Sequence, residues 1–188
     1  MARSSTSGSD DVIVVGGGIG GLTLALELHR VGVPVRVFEA APQVTPVGVG
    51  ITVLPHATRV LAELGLLEQL AARGVPTAES VFYNRFGQFV FREQTGTAAG
   101  LPWPQLAMHR ADLYDVLLAA ARERLGEDRL VFGARFVRAE QDDSAVHAHF
   151  EHGNAQFQVF LLGLSIGQGW METDALGFAD VHEAFDVP

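Results

Sequence analysis

The chain contains no cysteine. That excludes disulfides, thiolate-bound zinc, iron–sulfur clusters and thiol nucleophiles, and it agrees with a reducing, cytoplasmic setting. Lysine is absent as well. All 13 basic residues are arginine, and 22 acids outnumber them to give a net charge of −9. Without a concentrated positive face to neutralise phosphates, nucleic acid is not an expected partner. No apolar run is long enough for a membrane span or the core of a signal peptide, because Val12–Val15 runs straight into glycine. No H-E-x-x-H motif and no Ser-His-Asp context is present. What remains is 188 residues, 48% apolar and 19% charged, a composition that fits one packed globular domain.

The first ten residues are small and polar and read as a flexible tail. Val12–Val15 has the continuous apolar character of a buried parallel strand. Glycines crowd positions 16–21, and Leu22, Leu24, Ala25, Leu28 and Val31 then follow helical spacing up to Gly32. A second strand over 33–39 completes a βαβ unit in about 30 residues. Residues 41–57, rich in proline and glycine, read as a loop. One helix is expected over 56–73, a hairpin over 80–93 turning near Asn84 and Gly87, and a further helix over 109–126. Strand-like runs at 130–139, 145–151 and 156–162, separated by turn-rich stretches, predict an antiparallel meander.

Gly16, Gly18 and Gly21 fit G-x-G-x-x-G, with Ile19 opening the helix inside the motif. The spacing alone is unspecific. Its context is not: a strand precedes, a helix follows, and Glu39 closes the second strand 21 residues after Gly18. Gly16 permits the tight turn, Gly18 lets a pyrophosphate approach the backbone, and Gly21 lets helix and strand pack closely. The helix start offers unpaired N–H groups to phosphate. Glu39 can accept from both ribose hydroxyls and would repel a 2′-phosphate. The ligand read from these residues is an ADP-containing dinucleotide, FAD or NAD.

Two further stretches carry a resemblance. "GVGITVLPHATRVLAELGLLEQL" (48–70) and "QLAMHRADLYDVLLAAARERLG" (105–126) are similar to the single-component flavin monooxygenases, the aromatic-hydroxylase family typified by p-hydroxybenzoate hydroxylase. Within it they most resemble the branch containing the phenazine hydroxylase and 3-hydroxybenzoate 6-hydroxylase. The resemblance covers about residues 11 to 150. It implies an α/β fold, a Rossmann-like FAD-binding domain with a parallel sheet and an antiparallel β-meander. It implies FAD on Gly16, Gly18, Ile19, Gly21 and Glu39, Gly50 and Ile51 near the isoalloxazine, Arg110 at the ribityl–pyrophosphate region, and Phe136 beside the adenine. Complete relatives use NAD(P)H and O2 to hydroxylate a small aromatic substrate. Arg110 before a helix sits where the dipole does not favour a cation, which supports a ligand role. Asp112 reads as a first-turn acid, and His56 and His109 as helix-start residues. His147, His149 and His152 alternate without matching carboxylates and read as strand surface rather than a metal site. Trp103 and Trp170 read as packing.

The family pattern stops in the last meander strand. "FQVFLLGLSIGQGW" (157–170) stands where relatives have a G-A-D-G-x-x-S turn, with Ser165 in the place of the aspartate. Residues 151–188 hold six acids and no arginine, whereas the first 150 hold the other 16 acids and all 13 arginines. The expected organisation is a tail over 1–10, an incomplete FAD-binding domain over 11–163 and a divergent stretch over 164–188. The expected behaviour is that of a truncated flavoprotein inactive by itself. The alternative is a non-catalytic module completed by another chain, with self-association through an unfinished sheet.

Overall fold

The computed structural model describes residues 11–43, 49–141, 146–151, 153–157 and 161–163; at 141 and in the last two stretches it describes the backbone only. Expectations that fall on Gly48, His152, Ser165, Trp170, the first ten residues and the 164–188 stretch lie outside these residues.

The centre is a parallel sheet. Strand β1 (Val12–Val15) is followed by helix α1 (Ile19–Arg30) and strand β2 (Val35–Glu39), paired in parallel so that Val14 faces Val37 and Val15 faces Phe38. Two more strands join at the edges, β8 (Leu130–Phe132) on β2 and β12 (Leu161–Gly163) on β1, both parallel, in the order β12-β1-β2-β8. Successive side chains of a strand point to opposite faces. On one face Val14, Val35, Val37 and Leu130 pack with Leu22, Ala25 and Leu26 of α1 and with Leu113, Leu117 and Ala121 of α4 (Arg110–Leu125). On the other, Ile13 and Phe38 meet Ala148 and Phe150 of the meander, β9 (Phe136–Gln141), β10 (Val146–Phe150) and β11 (Gly153–Phe157). Helices on one side and a small antiparallel sheet on the other explain why the central strands are apolar without alternation.

Four expectations are corrected. The 41–57 loop contains strand β3 (Gly50–Val53), and helix α2 (Pro55–Glu63) begins within it. Strand β3 forms because β7 (Gln105–His109) pairs with it antiparallel, and β4 (Val75–Thr77) lies on β7's other edge. The single helix over 56–73 is two, α2 and α3 (Leu67–Ala71), since the chain turns at Gly65 with φ 70°. The run 130–139 is also two strands, because Gly133 with φ 75° sends β8 into the parallel sheet and β9 into the meander. The run 156–162 is divided in the same way between β11 and β12. The hairpin is present as β5 (Glu79–Tyr83) and β6 (Phe89–Gln94), and α4 lies where periodicity placed it.

Two polar features tie the layers together. Asp11 is 3% exposed below β1 and accepts from Arg36 Nε at 3.0 Å, while Arg129 Nη1 approaches the same oxygen at 2.5 Å, joining β1, β2 and the approach to β8. Buried Thr58 donates to the carbonyl of Pro104 at 2.7 Å and so fastens α2 to the start of β7. No helix among the described residues is long and apolar enough to cross a membrane.

The buried hydroxyl of Tyr114 on α4 has no hydrogen-bond partner among the described residues. Burial, and then the Glu39 carboxylate, raises its pKa above the ordinary 10.0. The protonated form is the one the fold favours, so this contribution is complete below pH 10 and fades as pH rises past it. Removing an unpaired buried hydroxyl should help. Tyr114→Phe is expected to raise stability by about 1 kcal/mol at neutral pH and to shrink the alkaline loss, as measured by denaturant unfolding at two pH values.

Candidate functional site: the glycine turn and its acid

The turn from β1 into α1 and the first three residues of the helix span positions 16–21, five of which are glycine. Gly16 adopts φ 104°, a conformation that favours glycine, and its N–H donates to the carbonyl of Phe38 at 2.7 Å. Gly21 faces the same turn from inside α1. A Cβ there would lie 1.9 Å from the Gly16 carbonyl oxygen and 3.3 Å from Val14 Cγ1, so helix and strand meet at a distance only hydrogen allows. Gly18 is different. It caps α1 with ordinary extended dihedrals, and a Cβ on it would meet nothing within 4 Å. No side chain caps α1 and no acid lies in its first turn, so the first N–H groups of the helix, beginning with Ile19, are not claimed by a side chain.

Glu39 ends β2 directly across from this turn. Its Oε2 accepts from the Gly17 N–H at 2.7 Å and its Oε1 from the Ala41 N–H at 2.8 Å. The carboxylate is therefore held at a fixed angle, with one bond on each oxygen and further acceptor capacity on both. Gly17 was not singled out by the spacing, yet it is buried, and a Cβ on it would stand 3.0 Å from Glu39 Cβ. The signal in the sequence is the unbroken Gly16-Gly17-Gly18 run, of which the motif uses only the outer two.

The β8–β9 connection is strapped to the same strand end. Ala134 N–H donates to the Glu39 carbonyl at 2.9 Å and Gly133 N–H to that of Ala41 at 3.2 Å. Phe136 follows, edge-on to Phe150 at 5.9 Å, and Phe150 stacks on Phe38 at 4.4 Å. A recess of about 300 Å³ adjoins the end of β2, lined by Pro42, Gln43, Tyr114, Leu118, Arg122 and Phe132.

A second group of residues is gathered by the β3–β7 ladder. Gly50 pairs with His109 and Ile51 with Met108, and the Arg110 N–H donates to the Val49 carbonyl at 3.0 Å. Gly50 and Ile51 thus lie beside the start of α4. Arg110 is exposed there, with no ion-pair partner among the described residues. His109 is the N-cap of α4, its Nδ1 accepting from the Ala111 N–H at 3.3 Å, and Asp112 occupies the first turn.

Residues 9–159 match the FAD binding domain family. The chain belongs to that family. This FAD-binding domain is 43% identical over 152 residues to the phenazine 1,6-dicarboxylic acid hydroxylase of Lysobacter antibioticus, covering 80% of this chain and 37% of that protein. It is 38% identical over 155 residues to the 3-hydroxybenzoate 6-hydroxylase of Polaromonas naphthalenivorans, covering 81% and 38%. Klebsiella pneumoniae HpxO, solved with FAD and uric acid, superposes with a TM-score of 0.63 at 26% identity over 82% of this chain and 39% of that one. The chain spans less than half the length of each of these proteins. The Rossmann-like reading and the aromatic-monooxygenase family named from residues 48–70 and 105–126 both stand.

His56 is exposed near the start of α2. His149 on β10 pairs with Glu140 of β9 at 3.2 Å, and no cluster of potential metal ligands occurs among the described residues.

Proposed function

We propose that this domain holds FAD with its ADP half between the glycine turn and Glu39, and that it is the flavin-binding portion of a monooxygenase that hydroxylates an aromatic ring with NAD(P)H and O2. The observation that carries the reading is the Glu39 carboxylate, fixed 2.7 Å from the Gly17 N–H at the mouth of a turn with open space at Gly18. Its second acceptor sites suit ribose hydroxyls, and the unclaimed N–H groups of α1 suit the pyrophosphate. Phe136 would border the adenine. Arg110 would present its planar fork to pyrophosphate or ribityl oxygens, and Gly50 and Ile51 would line the flavin ring. The flavin supplies the redox chemistry when bound; the residues of this chain bind and orient it.

The relatives named for hydroxylation of phenazine and hydroxybenzoate substrates support the aromatic class, and the share of their length spanned here supports a need for more protein than this chain. The 188-residue chain titrated with FAD should give a perturbed, resolved flavin absorption band, and should consume no NAD(P)H in response to aromatic substrates. A hydroxylated product formed by the chain alone would overturn the second half of the proposal, and an unperturbed flavin spectrum would overturn the first.

A further inference from the structure

Arg110 is the first residue of α4, and both peptide units that flank it are tied. Its own N–H donates to the Val49 carbonyl at 3.0 Å, beside the β3–β7 ladder in which Gly50 pairs with His109. The next N–H, that of Ala111, donates to Nδ1 of His109 at 3.3 Å. The His109 side chain therefore closes a small ring around Arg110 and holds the backbone angles from which the arginine side chain leaves the helix. Asp112, the acid of the first turn, stands two residues on, and residues at that spacing do not face each other on a helix. Arg110 is exposed and has no ion-pair partner among the described residues.

Ser, Thr, Asp and Asn are the usual helix caps, and imidazole is not among them. Helix α4 begins with a cation at the positive end of its dipole, an unfavourable place for one. An aspartate cap would be the stabilising choice there. It would accept from the first-turn N–H groups, complement the dipole and neutralise Arg110. It would also occupy the fork that a phosphate needs and set a negative charge beside an anionic ligand. Imidazole caps without doing either. With Nδ1 accepting from Ala111, the proton of a neutral ring resides on Nε2, so the cap carries no charge that competes for the guanidinium. The strands at this junction bring no charge either: β3 reads GITV and β4 reads VPT. Helix stability is given up, and one oriented cation stays free.

We infer that His109 is the positioning residue for Arg110: an uncharged cap that fixes the arginine at the head of α4 and leaves its fork for the pyrophosphate or ribityl oxygens of FAD. The inference rests on the reading of Arg110 as an FAD contact. Replacements of His109 in the 188-residue chain separate this role from plain capping, with FAD titration and thermal unfolding as the readouts. His109→Asn keeps an uncharged cap and should bind FAD within about 3-fold of the parent. His109→Asp also keeps a cap and should melt no lower than the parent, yet bind FAD on the order of 10-fold more weakly, the scale of a hydrogen bond to a charged group. His109→Ala loses the cap, so the melting temperature should fall by about 3 °C and FAD binding should weaken as well. In an Arg110→Ala background, itself expected to weaken FAD by ~10-fold or more, His109→Ala should make no further difference, because the group it positions is gone. FAD binding as tight in His109→Asp as in His109→Asn, or an equal loss from His109→Ala with and without Arg110, would overturn the inference alone. FAD binding that Arg110→Ala leaves unchanged would overturn the reading of Arg110 and the inference with it.

Discussion

Gly21→Val will cost the domain at least ~3 kcal/mol of stability, enough to lower its melting temperature by roughly 10 °C. The reason is a collision with backbone, not with a side chain that can rotate away. The first added carbon would lie 1.9 Å from the Gly16 carbonyl oxygen and 3.1 Å from the carbonyl carbon, and Val14 behind them is fully buried. Helix α1 would have to lift from β1, opening the interface that also seats α4. Gly18→Val makes the contrast. Its Cβ enters open space and the backbone dihedrals suit any residue, so stability should change by no more than about 1 kcal/mol, the worth of an N-cap preference. If Gly18 marks the path of a pyrophosphate, that variant loses FAD while keeping its fold. Thermal unfolding and FAD titration of both variants separate packing from binding.

Glu39→Gln should weaken FAD binding by on the order of 100-fold, the worth of one to two hydrogen bonds to a charged acceptor. The two oxygens of Glu39 already accept from Gly17 and Ala41. An amide has one oxygen and one donor group, so one backbone N–H would face another N–H whichever way the side chain turned. Gly17 is buried, so a donor lost there also costs about 1–3 kcal/mol of stability. Glu39→Ala removes both acceptors and should do more of each. Denaturant unfolding and flavin titration on the same preparations give both numbers.

What was legible in the sequence was local. The β1–α1–β2 unit, α4 and the hairpin announce themselves by periodicity and turn residues within short windows. Strands β3, β4 and β7 do not, because they are three to five residues long and exist by pairing with distant partners, as Gly50 does with His109. The same limit hid the division of 130–139: nothing local tells that Leu130 pairs with Val37 while Phe136 pairs with Phe150. At the site, Gly16, Gly18, Gly21 and Glu39 were visible as a motif with spacing. Gly17 became visible only once the Glu39 side chain, 22 residues away, was seen bonded to its N–H. Arg110, Gly50 and Ile51 came from resemblance rather than from pattern, and the β3–β7 ladder is what brings them together.

Comparing FAD with FMN on the unmodified chain tests the central claim most directly, because the two flavins differ by the adenylate that the turn and its carboxylate are proposed to hold. The account predicts that FAD binds at least ~100-fold more tightly than FMN, and that Glu39→Ala removes most of this difference. FMN binding as tightly as FAD, or a preference for FAD that survives Glu39→Ala, would contradict it.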